Sequence, residues 1–177
     1  YYFSNDKNRF IICRTVLKFL LAKQTGLDVN EIVLDKYANK KPCLPSHPSV
    51  FFNVTHAGDY ALIAIAKEPV GVDVEYVNKD FDYNEILSGI FNKSEIHEVF
   101  NSNNKQRTFY KLWTRKEAIV KATGKGIDDH FPEIVTLDGY HHVRPELLGN
   151  IGVLHVFSFE LNEDYIEFIT TLSKIRK

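Results

Sequence analysis

Val70-Gly71-Val72-Asp73-Val74-Glu75 alternates without a break, and its reading decides the fold. A strand turns successive side chains to opposite faces, so the three valines share one face and Asp73 and Glu75 share the other. The two carboxylates then stand about 7 Å apart along the strand. Like charges at that spacing repel unless water or a cation lies between them. On an edge strand an Asp-x-Glu pair is an ordinary solvated face. The neighbouring segments argue for a central strand instead. Val50 to Val54 and Tyr60 to Ala66 are rich in β-branched and aromatic residues, and the turn-like Ala57-Gly58-Asp59 and Lys67-Glu68-Pro69 separate the runs. The expectation is three adjacent strands, the last being Val70 to Val77. Hard oxygen ligands of this kind suit Mg²⁺, whose remaining positions go to water and phosphates.

Upstream, Phe10, Ile11, Val16, Leu17, Leu20 and Leu21 recur at helical spacing, which predicts a helix over Arg9 to Ala22 that stops at Gly26. Pro42, Pro45 and Pro48 mark the stretch between helix and strands as loop. Downstream the periodicity changes to that of helices, over Asn84 to Gly89, Lys93 to Phe100 and Gln106 to Thr123. Asn92 followed by Glu95 reads as a capping box, and Gly124 as a helix stop. Strands return over Ile134 to Leu137, Gly152 to Leu161 and Tyr165 to Leu172, the last two joined by the turn Asn162-Glu163-Asp164. Helix, strands, helices, strands is an α+β pattern. It divides into an N-terminal half, 1–77, and a C-terminal half, 78–177.

Three further clusters could carry chemistry. In Trp113-Thr114-Arg115-Lys116-Glu117-Ala118-Ile119-Val120-Lys121, Glu117 and Lys121 are four apart and neighbours on one helix face. An ordinary surface pair of that kind is worth a few tenths of a kcal/mol, roughly 0.2–0.5. Phe109, Leu112, Trp113 and Val120 form the core stripe, with Glu117 at its border. Phe52-Asn53-Val54-Thr55-His56 ends in a hydroxyl and an imidazole where the strand meets its turn. Lys40-Lys41-Pro42 is a surface loop by default, and a stiffened lysine pair that can hold a phosphate otherwise.

Composition limits the choices. The 177 residues are 44% hydrophobic and 25% charged, with 22 Lys plus Arg against 23 Asp plus Glu and a net charge of −1. That excludes disorder, and it argues against duplex nucleic acid as the partner, which phosphate contacts would match to a basic surface. Phosphates must be met by local cations. Cys13 and Cys43 make no disulfide framework, and apolar runs such as Ala61 to Ala66 are too short to span a bilayer. The expected setting is cytoplasmic, away from any membrane.

Taken in order, Phe-Asn-Val-Thr-His, Val-Gly-Val-Asp-Val-Glu, Phe-Asn-Lys-Ser-Glu and Leu-Trp-Thr-Arg-Lys-Glu-Ala-Ile-Val-Lys-Ala-Thr-Gly-Lys-Gly resemble the Sfp-type 4′-phosphopantetheinyl transferases. The resemblance covers Arg9 to Gly126, about two-thirds of the chain. It implies a pseudo-twofold monomer, each half a small antiparallel sheet packed on a long helix, with one active site between the halves. It implies transfer of phosphopantetheine from coenzyme A to a serine of an apo acyl or peptidyl carrier protein, with Mg²⁺ required. Carried over by position, Asp73, Glu75 and Glu117 match the metal-binding acids. Lys41, Thr55 and His56 match contacts to the coenzyme A phosphates, as do Lys116 and Lys121 near the diphosphate. Arg9 and Arg14 fall where the family keeps basic residues. Glu117 is then the candidate general base, and Lys121 the group that neutralises the departing diphosphate.

The chain departs from the family pattern in places. Lys40 stands where Gly is usual, Thr55 where Ser is, and Gly89-Ile90-Phe91 replaces an Arg-aromatic-Phe. Set against the family pattern, the first half is expected to lack about one strand's worth of N-terminal sequence. Two rivals come from other classes. A metal-dependent nuclease could use an Asp-x-Glu, but such sites place a lysine two residues after the acid, and Val77 and Ile119 occupy those positions. A non-catalytic relative that binds carrier protein or coenzyme A would have no need to keep all three acids.

Overall fold

The contact between strand β5 (Val70–Tyr76) and helix α4 (Lys105–Thr123) organises the molecule. Gly71 permits it. A Cβ at that position would stand 1.9 Å from the Ala118 carbonyl oxygen and 2.4 Å from Ala122 N, so the two backbones approach closely only because no side chain intervenes. Gly71, Asp73 and Glu75 share the face of β5 that α4 covers. These relations come from a computed structural model, which describes residues 2–138, 146, 153–159 and 163–173.

The other strands are β1 (Asp35–Lys36), β2 (Pro42–Cys43), β3 (Phe51–Ala57), β4 (Tyr60–Ala66), β6 (Val153–Phe159) and β7 (Tyr165–Ser173). Strands β3 and β4 form an antiparallel hairpin, in register from Phe51↔Ala66 to Ala57↔Tyr60, with Gly58 at φ 52° in the tight turn. The expected three adjacent strands are not one sheet. β5 pairs antiparallel with β7, which pairs in turn with β6, in the order β5-β7-β6. Toward the hairpin, β5 is held by a side chain: Asn53 Oδ1 accepts from Val72 N at 2.8 Å. The strand is thus at the hydrogen-bonded edge of its sheet but buried on both faces. Val70 and Val72 pack with Ala64 of β4, while Asp73 and Glu75 lie opposite Phe168 and Ile166 of β7, on the α4 side. The alternating pattern is present, and neither face is left to water.

Helix α1 (Tyr2–Thr25) is longer than the spacing predicts and buries less. Leu17 and Leu21 join Phe52, Ile32 and Leu44 in a small core over the hairpin. Phe10 stays 64% exposed, and Ile11, Val16 and Leu20 are exposed as well, so four of the six apolar residues that announce the helix are not core. A two-stranded hairpin is wide enough to cover one stripe of a helix, not its full girth.

The larger core gathers α2 (Leu87–Ile90), α3 (Lys93–Asn101), α4 and β7 around Phe91, Phe109, Leu112, Ile119 and Phe168. The helix expected over Asn84 to Gly89 is a single turn, shifted to α2. The capping box forms as read: Asn92 Oδ1 accepts from Ser94 N and Glu95 N, and Glu95 Oε2 accepts from Asn92 N. Gly124 ends α4 at φ 70°. The strand expected over Ile134 to Leu137 is absent. There Thr136 N and Oγ1 donate to Glu95 and the Thr136 carbonyl accepts from Arg115, so side chains take the groups a ladder would use. Of the expected final hairpin, Gly152 and Glu160 to Asn162 lie outside the described residues. Among the described residues no helix is long and apolar enough to cross a membrane.

Candidate active site

Asp73 is the centre of the site and only 2% exposed. Its Oδ1 accepts from Thr55 Oγ1 at 3.0 Å and from Lys121 Nζ at 2.5 Å. Lys121 also donates to Thr55 Oγ1 at 3.2 Å, so β3, β5 and α4 each supply one corner of a triangle. Asp73 Oδ2 is buried and, among the described residues, has no hydrogen-bond partner. An unsatisfied buried acceptor costs about 1–3 kcal/mol, more when charged. Such an oxygen is poised for a ligand.

Glu75 is half-buried two residues along, its Oε1 accepting from the Trp113 indole N–H at 3.1 Å. Glu117 is half-buried on α4. Burial pushes all three carboxyls up from the ordinary carboxylate range. The Asp73 charge raises Glu75 and Glu117 further, and Lys121 opposes the shift in all three. Three acids that feel one another across a partly dry cleft are a place for positive charge. Among the described residues no three His, Cys, Asp or Glu side chains stand together as a set that could hold a metal ion, so Asp73, Glu75 and Glu117 are not pre-assembled as ligands. Donor chemistry still suits a hard divalent cation: carboxylate oxygens, one of them an orphan, with Glu75 and Glu117 on flexible stems beside it.

The cations predicted from sequence fall into three groups. Lys121 is at the site, on Asp73. Lys116, expected near the diphosphate, is not: it is fully buried on another face of α4, ion-paired to Glu95 Oε2 at 3.0 Å. Its ammonium also donates to the carbonyls of Phe131, Pro132 and Ile134, so it is closed off from any phosphate. Lys41 is intermediate. Its Nζ donates to the carbonyls of Val70 and Ala122, both at 3.0 Å, and burial lowers its pKa to about 8. In this arrangement it ties the loop of residues 37–41 to the end of α4.

Thr55 is buried and committed to Asp73 and Lys121, and His56 is exposed next to it on β3. Arg9 and Arg14 sit partly exposed on α1, the helix that lies against the hairpin. Sequence reasoning missed the role of Trp113 toward Glu75, having placed its ring in the core stripe. The available signal was chemical: a buried indole usually finds an acceptor for its N–H. Asn53, which fastens β3 to β5, was missed as well.

A family model described as the 4′-phosphopantetheinyl transferase superfamily matches residues 69–167, and one described as 4′-phosphopantetheinyl transferase, N-terminal, matches residues 1–68. The chain is 28% identical to the 4′-phosphopantetheinyl transferase Sfp of Bacillus subtilis over 93% of its own length and 74% of that protein. It is 31% identical to the 4′-phosphopantetheinyl transferase HetI of Nostoc sp., over 72% of this chain and 56% of that one. Among solved structures, the holo-[acyl-carrier-protein] synthase (AcpS) of Thermotoga maritima aligns over 60% of this chain and 63% of that one. The TM-score is 0.49, at 21% identity.

Proposed function

The chain belongs to the 4′-phosphopantetheinyl transferase superfamily, and from that premise we propose that it moves the 4′-phosphopantetheine group of coenzyme A onto a serine of an apo carrier protein. The serine oxygen attacks the β-phosphorus, the bond from that phosphorus to the bridging oxygen breaks, and 3′,5′-ADP leaves with the bridging oxygen. One observation carries the reading at the site: the orphan Oδ2 of a buried Asp73, beside Glu75, Glu117 and a lysine. A site of that kind accepts a diphosphate only with added positive charge.

Asp73, Glu75 and Glu117 are the residues that would hold Mg²⁺, which supplies charge neutralisation for the diphosphate when bound. Thr55 orients Asp73 through Oδ1 and leaves Oδ2 to face the ligand. Trp113 fixes one oxygen of Glu75. Lys121 holds positive charge beside the acids and meets the charge that develops on the leaving group. Glu117 takes the serine proton; burial raises its pKa toward the working pH, as suits a general base. His56, Lys41, Arg9 and Arg14 are the proposed contacts to the phosphates at the adenosine end, Lys41 after exchanging its carbonyl partners for phosphate.

The reading extends to the setting. Near-neutral charge fits an enzyme that meets anions at one spot, without nucleic acid or membrane as partner, working in the cytoplasm as a monomer. The halves 1–77 and 78–177 are proposed to share the one site, β3 and β5 coming from the first and α4 from the second. Intact mass of an apo carrier protein after incubation with coenzyme A and Mg²⁺ tests the activity; the expected gain is one phosphopantetheine. Asp73→Ala should abolish it while the protein still melts cooperatively. Near wild-type turnover by that variant would overturn the site, and coenzyme A binding without transfer would leave the non-catalytic relative standing.

A further inference from the structure

A hairpin of two strands is a pliable support, because two-stranded ribbons twist strongly and are marginal alone. The hairpin β3–β4 nevertheless presents Thr55 and His56, so what holds it bears on the site. Along β3 two side chains fasten it to β5: Asn53 accepts from Val72 N, and Thr55 donates to Asp73. Its tip is held from far along the chain. Tyr165, the first residue of β7, meets three successive residues of the turn. A Cβ at Gly58 would fall on the Tyr165 hydroxyl, which also accepts from Asp59 N at 3.5 Å, across 106 residues of sequence. Its ring meets that of Tyr60 edge-on, with centroids 4.7 Å apart, and that of Tyr76 at 5.4 Å. Tyr165 is the enclosed member of the three, 9% exposed against 37% for Tyr60 and 49% for Tyr76.

We propose that Tyr165 is a positioning residue for coenzyme A, fixing where His56 stands by seating the β3–β4 turn on β7. The inference rests on the transferase reading and deepens it by naming what holds one of its phosphate contacts. His56 is exposed, so its own packing does not fix it and its backbone must. That backbone lies between the two fastenings, one residue after Thr55 and two before Gly58. Held at Asn53 and Thr55 alone, the ribbon could pivot about β3. Tyr165 removes that freedom. The register relates the tip to the acids: Tyr165 pairs with Tyr76, and the next pair along is Ile166 with Glu75. The strand that supports the hairpin tip is therefore the one that holds β5 in its ladder. Gly58 is required twice, for its φ of 52° and for the room its missing side chain leaves to the hydroxyl.

Tyr165→Leu tests the proposal through the kinetics of carrier-protein loading, the His56 imidazole resonance in NMR and the urea midpoint. KM for coenzyme A should rise about tenfold, the scale of a sub-ångström misplacement, and the His56 resonance should move. The kcat should stay within about twofold, since only a binding contact is displaced. Tyr165→Phe keeps both ring contacts and should restore KM to within about twofold of wild type. Gly58→Asn approaches from the other side and stands in if the leucine variant melts early. Asparagine accepts the left-handed backbone, but its Cβ meets the hydroxyl, so KM rises again. The double variant should be little worse than either single one, because both act through one contact. Val99→Ala, in the larger core, is the control for stability alone: its urea midpoint falls while KM and the His56 resonance stay put. A KM in Tyr165→Leu no higher than in that control, or an unmoved His56 resonance, would overturn the proposal. So would a loss of kcat at unchanged KM, which would place Tyr165 with the acids of β5. His56→Ala with unchanged KM would remove the contact that Tyr165 is said to position, and overturn it too. Wild-type protein that transfers nothing would bring down the transferase reading and, with no substrate contact left to position, this proposal as well; the other outcomes strike Tyr165 alone.

Discussion

Helix α4 carries two lysines five residues apart, each ion-paired to a buried carboxylate, and the two regions differ in completeness. At Lys116 the pair is closed. Glu95 Oε1 takes Thr136 N and Oγ1, Oε2 takes Asn92 N and the ammonium, and three carbonyls share the lysine's two remaining N–H groups. At Lys121 the pair is open. Asp73 uses one oxygen and leaves the other bare, and the lysine side chain reaches solvent. A closed buried pair holds elements together, here α3, α4 and the Phe131–Glu133 turn. An open one keeps electrostatic capacity for something that arrives. Burial and charge alone do not separate the two, since both carboxylates are almost fully buried. The unpaired oxygen does.

The largest effect that could break this contrast comes from Lys116→Met. Removing the ammonium strands Glu95 among apolar groups, and stability in a urea titration should fall by about 3–5 kcal/mol. A loss under ~1 kcal/mol would mean the pair is not architectural. Next is Glu117→Gln on the open side. Stability should change little, but kcat should drop roughly 10²-fold, the scale of a positioned base, or about 2.7 kcal/mol. Raising Mg²⁺ should restore only part of it, because the amide can ligate but cannot accept the proton. Full recovery at saturating metal would move the base elsewhere.

Lys41→Met sharpens the comparison by classifying a third ammonium. Its two carbonyl bonds resemble those of Lys116, while its place before Pro42, in the loop of residues 37–41, fits a phosphate contact. If the carbonyls dominate, stability falls by about 1–2 kcal/mol, at the usual worth of a hydrogen bond, and the affinity for coenzyme A shifts less than threefold. A raised KM for coenzyme A with unchanged stability would put Lys41 with Lys121 instead.

The smallest effect is a slope. Burial raises the folded pKa of Asp73 above its ordinary 3.8. The folded protein therefore binds that proton more tightly than the unfolded chain does. The contribution is present at low pH and lost as pH rises from the ordinary value through the folded one. Asp73→Asn does not titrate, so in metal-free buffer its stability relative to wild type should climb as pH rises from ~4 toward neutrality. Added Mg²⁺ should reverse the order by stabilising the wild type alone. Parallel curves across that range would show that Asp73 is no more strained folded than unfolded.

Much of this was legible in the residues themselves. Strict alternation in Val70 to Glu75 put both acids on one face, helical spacing put Glu117 beside Lys121, and Asn92 with Glu95 announced a cap. Those are local facts: period, spacing and capping act within a few residues and leave their mark in order along the chain. What covers a face is not local. β5 takes its ladder from β7, far along the chain, and the Asn53 side chain closes its other edge. The apolar residues of α1 announce a helix but not that a two-stranded hairpin covers only Leu17 and Leu21. Lys116 and Lys121 read alike, by resemblance, as basic residues near the diphosphate. Only the tertiary structure seals one behind Glu95 and three carbonyls and leaves the other facing an unpaired oxygen, because exposure depends on which distant elements pack over each turn of the helix.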